Sequence, residues 1–195
     1  MFDVLPRLDT LRASGRLRDD DLLLVNSLRY RFQIETLEAL GVSRRRVLTT
    51  STMPHLQADV LIVPSLARRG DTVPPRTCTF LRDTLLPCGA RSSHGPRRLF
   101  ISRSDARWRR LVNEDEVARA LAQRGFTTVT GLGQLPLAEH VGIFAGAEAI
   151  VCAYGAGMVN TVFCQPGAVV VELFSGDFVD PHYWTIDERV GTTYR

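Results

Sequence analysis

Two short stretches in the second half of the chain, Ala149-Ile150-Val151-Cys152-Ala153 and Val169-Val170-Val171, are apolar without interruption. A strand with one wet face alternates polar and apolar residues. A strand that is apolar throughout is covered on both faces, as in a parallel sheet between layers of helix. From about residue 97 such runs alternate with helical stretches in the order β-α-β-α-β-α-β-α, which predicts an α/β chain with a Rossmann-like parallel sheet. Strands are expected over residues 98–102, 126–130, 149–153 and 169–173. Helices are expected over 113–124 and 137–145, from the turn Gly155-Ala156-Gly157 to Cys164, and over 181–190. Glu114, Asp115 and Glu116 fall in the first turn of the 113–124 helix, where the helix dipole favours acids.

The first part of the chain alternates too. Helical patterns cover residues 2–13, 32–40 (stopped by Gly41) and 77–86, and strand patterns cover 22–25, 46–50 and 60–63. Polar stretches at 67–75 and 89–96 break the order. The early strands are too few for a full sheet. The expected division is therefore residues 1–72, a partial N-terminal Rossmann-like unit, and residues 73–195, a complete C-terminal one. The chain is expected to be a fragment or a truncated gene product that lacks most of its first domain.

Composition narrows the function. Hydrophobic residues make up 45% and charged residues 23%, a globular balance. No apolar run reaches the ~18 residues of a membrane span, and the first ten residues carry Asp3 and Asp9 rather than a cationic start before an apolar core. A net charge of +3 does not call for nucleic acid, and no nucleic-acid partner is expected. Cys78, Cys88, Cys152 and Cys164 make neither a C-x-x-C pair nor a zinc spacing with histidine, so four reduced thiols in the cytoplasm are expected. All 24 cationic residues are arginine. Lysine chemistry is excluded, and an arginine alone is a poor sign of phosphate, because arginine is the only strong cation in the chain.

Ligands of open parallel sheets bind beyond the carboxyl ends of the strands. Three positions there carry chemistry. The turn Tyr154-Gly155-Ala156-Gly157-Met158-Val159-Asn160 exposes backbone N–H groups at a helix start, suited to a phosphate or diphosphate, or it is a tight turn with no ligand. It is not the dinucleotide fingerprint, because Asn160 stands where the third glycine would be, and that argues against a nicotinamide-dependent enzyme. Arg103 and Arg109 follow another strand and face the same crevice as a phosphate clamp, or belong to a solvated basic loop, since seven arginines lie between Arg91 and Arg110. Glu172 ends a strand 17 residues beyond Gly155, where a carboxylate can accept ribose hydroxyls and where burial without a partner would be costly. His55, His94, His140 and His182 have no metal spacing and read as structural or exposed. Asp19-Asp20-Asp21 contains a D-x-D pattern but reads as a solvated turn. Tyr183 and Trp184 line a pocket or belong to the core.

These residues together resemble glycosyltransferase family 61. The resemblance is carried by Ile101-Ser102-Arg103, Arg109-Arg110-Leu111-Val112-Asn113-Glu114, Gly125-Phe126, Ala147 through Asn160, and Val171-Glu172-Leu173. Phe2-Asp3-Val4-Leu5-Pro6-Arg7-Leu8 resembles the family segment that follows a His-Trp pair, and His55 through Ser65, Tyr183-Trp184 and Tyr194 fit as well. The resemblance implies a GT-B-like pair of Rossmann-type domains and a nucleotide-sugar donor, UDP-linked, held by the C-terminal one. It also implies inverting transfer to a glycan acceptor with no metal and no other cofactor, in bacterial polysaccharide biosynthesis. In that scheme Arg103 and Arg109 neutralise the leaving diphosphate, Tyr154, Gly155, Ala156 and Gly157 cradle it, and Asn160 and Glu172 orient the nucleotide. Asp3 is the candidate base. The alternative is a non-catalytic nucleotide-binding remnant. Two positions depart from the family pattern: Tyr154 replaces a common His and His140 a common Gln.

Overall fold

A computed structural model describes residues 1–67, 70, 72–90 and 95–195. Arg68, Arg69 and Asp71 of the first polar stretch, and Arg91 and His94 of the second, lie outside the described residues. So does any role for His94.

The C-terminal sheet is the scaffold of the site. Strands β3 (Arg98–Ile101), β4 (Thr127–Val129), β5 (Ala149–Ala153), β6 (Val169–Leu173) and β7 (Thr193–Tyr194) form one sheet in the order β4-β3-β5-β6-β7. Every pairing is parallel, with Leu99 beside Ile150 and Cys152 beside Glu172. Leu99, Phe100 and Ile101 are consecutive and all buried, so both faces of β3 are covered. This is the arrangement that uninterrupted apolar runs require. The chain is thus an α/β protein with parallel sheets, compatible with the Rossmann-like expectation.

Helix α3 (Pro75–Gly89) packs against α5 (Leu137–Ala145) and α6 (His182–Val190), and all three pack against a 3-10 helix, Ala156–Phe163. Their buried side chains, Leu81, Leu85, Val141, Phe144, Phe163 and Ile186, share a core with Leu99, Ile150 and Val170 of the sheet. The end of α3 approaches the middle of α5 so closely that a Cβ on Gly89 would stand 2.6 Å from Val141 Cγ1. Helix α4 (Glu114–Ala122) packs against β4 and buries none of its residues.

The N-terminal part is smaller. Helix α1 (Leu5–Ala13) turns Leu5, Leu8 and Leu11 inward. Helix α2 (Arg31–Ala39) ends at Gly41, whose φ of 71° is the left-handed conformation that closes a helix. Strands β1 (Leu23–Val25) and β2 (Val47–Thr49) make a separate two-stranded parallel sheet. Phe2, Leu5 and Leu8 join the same hydrophobic cluster as Leu81 and Leu85. Polar contacts reinforce the junction: Arg76 pairs with Asp9 at 3.0 Å, and the Leu137 N–H donates to Glu35 Oε2 at 2.6 Å.

Two expectations change and one element is added. Residues 60–63 are not a strand, and Val60, Leu61 and Val63 are exposed; the run has strand composition but no ladder partner among the described residues. The stretch after the glycine turn is a 3-10 helix rather than an α-helix, closed by Met158 N–H to Gly155 O at 2.9 Å and Thr161 Oγ1 to Met158 O at 2.9 Å. Strand β7 is an addition: it is two residues long and follows Gly191, too short for any periodicity to register.

Replacing Phe144, fully buried under the sheet, with Ala should cost about 3–5 kcal/mol of unfolding free energy in urea. Replacing the exposed Leu61 with Ser should change it by less than about 0.5 kcal/mol. A comparable loss at both positions would contradict the burial described here.

Candidate functional site

Within the five-stranded sheet, the first strand in sequence lies second in space. From β3 the chain steps to one side to β4, then crosses back to β5 and continues outward to β6 and β7. The direction of winding reverses between β3 and β5, and ligands of doubly wound sheets enter at such a point. Ser102-Arg103 and Tyr154-Gly155 are the residues at those two strand ends.

The structure brings Arg103, Arg109, Tyr154 and Gly155 together. Arg103 Nε donates to the Arg109 carbonyl at 3.1 Å, and its Nη2 to the Trp108 carbonyl at 3.0 Å. The same guanidinium lies against Gly155, where a Cβ would stand 1.8 Å from Nη1. The φ of Gly155 is 171°, extended backbone that any residue adopts. Space, not conformation, reserves the position for glycine. Arg109 is the one described non-glycine residue with positive φ, at 58°. Its guanidinium carbon sits 4.7 Å from the centre of the Tyr154 ring, within cation–π range.

Tyr154 is itself fixed. Its hydroxyl donates to Asp180 Oδ2 at 2.6 Å, and its ring packs with Phe174, Phe178 and Tyr183. Burial, with the hydrogen bond to Asp180, raises the Tyr154 hydroxyl well above its ordinary pKa. The same bond, and the His182 N–H at 2.9 Å, hold Asp180 below the usual carboxylate range. Residue 154 is thus a ring that takes a neighbouring cation on its face and anchors to a carboxylate.

Glu172 lies deeper. It is buried, accepts the Tyr194 hydroxyl through Oε2 at 2.5 Å, and its Oε1 has no hydrogen-bond partner among the described residues. Burial pushes its carboxyl up to about 7, against the lowering effect of the Tyr194 bond, with Asp187 and Asp180 adding to the rise. Asp187 on α6 is fully buried, accepts hydroxyls from Thr192 (2.6 Å) and Thr161 (3.3 Å), and is pushed by burial up to about 6.

Other expected site residues fall elsewhere. Asn160 is buried and its Nδ2 donates to the Gly157 carbonyl at 3.0 Å, bracing the 3-10 helix from within. Gly157 lies over Leu132, and the buried His140 donates through Nε2 to the Leu132 carbonyl, a structural bond. Asp3 is exposed in the turn before α1, on none of the elements that carry the other candidates. Asp21 accepts the Arg18 N–H at 2.8 Å, which makes the acidic triplet a turn. All four cysteines are free thiols, and burial raises Cys152 and Cys164 to about 12. Among the described residues no three His, Cys, Asp or Glu side chains are grouped to hold a metal ion, and no helix is long and apolar enough to cross a membrane.

Sequence reasoning missed Asp180 and Arg82. Asp180 follows no strand directly, and its role depends on the loop after β6 folding back over Tyr154. Arg82 on α3 donates through Nη1 to the carbonyls of Val162 (2.6 Å) and Cys164 (2.7 Å), capping the 3-10 helix from a distance of 80 residues in sequence. No local pattern signals such a contact.

Comparison with known proteins bears on this site. A family model described as Glycosyltransferase 61 matches residues 1–171. The chain belongs to glycosyltransferase family 61. A beta-1,2-xylosyltransferase, XAX1, of Oryza sativa subsp. japonica is 30% identical over 128 residues, 59% of this chain and 21% of the relative. A beta-1,2-xylosyltransferase of Arabidopsis thaliana is 29% identical over 97 residues, 44% of this chain and 18% of the relative. The chain therefore spans about a fifth of the length of these curated relatives. Both are plant enzymes, and the bacterial setting rests on the resemblance alone.

Two measurements test this family 61 site. Glu172 and Asp187 have pKa values raised in the folded state, so each contributes stability below its unfolded pKa that is lost as pH climbs through its folded value. The window runs from about pH 4 to 7. The melting temperature should fall between about pH 4 and pH 7, and Glu172→Gln should narrow that fall; an unchanged pH profile in the variant would contradict the assignment. Gly155→Ala must displace the Arg103 guanidinium. It should leave the melting temperature within a few degrees, because the clash is with the end of a flexible side chain, while moving the Arg103 side-chain resonances in an NMR spectrum.

Proposed function

We propose that the chain is the donor-binding part of a sugar transferase that takes a nucleotide-linked sugar, UDP-linked, and passes it to a glycan hydroxyl with inversion and without a bound metal. Residues 73–195 form the donor-binding unit of a GT-B-like pair, and residues 1–72 are part of its partner unit. One observation carries the reading: the guanidinium groups of Arg103 and Arg109 meet the Gly155 turn at the point where the sheet reverses its winding.

The chemistry follows from the charge. The acceptor oxygen attacks the anomeric carbon, the bond from that carbon to the diphosphate breaks, and the electron pair leaves on the phosphate oxygen. Donors already in place where that charge develops lower the barrier most. Arg103 keeps Nη1 for this, since its other two nitrogens are bound to carbonyls. Arg109 adds a second cation, and the start of the 3-10 helix adds backbone N–H groups. Glu172 offers Oε1 to a sugar or ribose hydroxyl. The acceptor proton must go to a base, and Asp3 is the candidate. The names of the two relatives make a xylosyl donor the first to try.

A second reading is a non-catalytic nucleotide-binding piece. It is favoured by the exposed position of Asp3 in the turn before α1, on none of the elements that carry the other candidates. Donor binding without turnover when an acceptor is supplied would select it.

Calorimetric titration with UDP should give a saturable exotherm. Arg103→Ala should weaken it by tenfold or more, the loss of a charge-assisted contact to phosphate. A wild-type protein that gives no heat above buffer would overturn the donor site.

A further inference from the structure

We propose that Glu114 is a positioning residue: its carboxylate ties the first turn of α4 to the end of β3 and so aims Arg103 at the diphosphate. The inference rests on the donor-site reading above and adds the residue on which that site's aim depends.

A backbone leaving a parallel sheet loses its ladder partners one by one. The Ser102 N–H still bonds to the Val129 carbonyl at 2.9 Å. The next N–H, that of Arg103, donates to Glu114 Oε2 at 3.2 Å. The Ser102 hydroxyl donates to Glu114 Oε1, and the Ser104 N–H turns back onto Ser102 Oγ at 3.1 Å. One carboxylate therefore holds the two residues at which the chain departs from the sheet.

The location explains the residue type. Glu114 is the first residue of α4, where the helix dipole favours an anion. Helix α4 buries none of its side chains, so its packing alone fixes its start loosely against β3. A hydrogen bond from a backbone N–H to a carboxylate is short-ranged and directional, and it supplies the register that packing does not.

Arg103 is then held at both ends. Glu114 fixes its backbone, and the Trp108 and Arg109 carbonyls fix its head. The tolerance is small, because the guanidinium fits only where residue 155 has no side chain. Drift of the Arg103 backbone would carry Nη1 off the diphosphate while leaving the fold intact.

The test is a titration with UDP by calorimetry and with uridine by NMR shift changes, on wild type, Glu114→Ala, Glu114→Gln, Arg103→Ala and the Glu114→Ala/Arg103→Ala double variant. Glu114→Ala should weaken UDP about tenfold, the scale of one hydrogen bond to a charged group, and leave uridine binding unchanged. Glu114→Gln, which keeps one acceptor oxygen, should recover part of the loss. In the Arg103→Ala background, Glu114→Ala should cost nothing further, because a residue that acts through Arg103 has nothing left to act on. Wild-type UDP affinity in Glu114→Ala, alongside lost affinity in Arg103→Ala, overturns this proposal and leaves the donor site standing. Equal losses for UDP and uridine with a lowered melting temperature overturn it too, as a role in folding. A wild-type protein that does not bind UDP overturns the donor site itself and this inference with it.

Discussion

A guanidinium resting on a glycine is the contact from which the rest of the strand-end cluster takes its shape. Arg103 reaches from the end of β3 to the turn after β5, and the absence of a side chain at residue 155 is what admits it. Its bonds to the Trp108 and Arg109 carbonyls then fold the loop after β3 back on itself, with Arg109 in a left-handed conformation and its side chain over Tyr154. Strain of this kind persists only where surrounding contacts over-determine it. Here they do: one arginine holds the carbonyl of the other, and an aromatic ring takes the second cation.

Behind this cationic front lies a layer of carboxyl groups in graded environments. Asp180, bonded to Tyr154 and the His182 N–H, is held as an anion. Glu172 and Asp187, deeper, are pushed by burial towards the neutral form. The Asp180 carboxylate accepts the Tyr154 hydroxyl and so fixes the ring that takes Arg109 on its face. The unpartnered Oε1 of Glu172 is the one described site carboxylate atom that burial leaves without a bond.

Much of this was legible residue by residue. The spans Leu137–Ala145, Ala149–Ala153 and Val169–Leu173 agree with the sequence pattern to the residue, because helix and strand there are set by unbroken periodicity between glycine and proline punctuation. That Arg103, Tyr154 and Gly155 lie at neighbouring strand ends was legible, because strand ends in a parallel sheet are known places. Residues 60–63 misled for the opposite reason: strand composition states a preference, but a strand exists only where a partner offers its backbone. The partner of Asn160, the Gly157 carbonyl, was not legible, because an amide serves a helix carbonyl as readily as a ligand.

The order of apolar runs by itself determined the α/β class, the parallel sheet and the strand ends at which chemistry could sit, since burial on both faces leaves no other use for such runs. The family resemblance rests on the same linear order of motifs. Tertiary structure alone decided that Arg103 lies on Gly155, that Arg82 caps a helix 80 residues away, that Asp180 folds over Tyr154 and that Glu114 clamps the end of β3. Each joins segments distant in sequence or turned by a loop, and no local preference encodes which distant group a hydrogen-bond donor will meet.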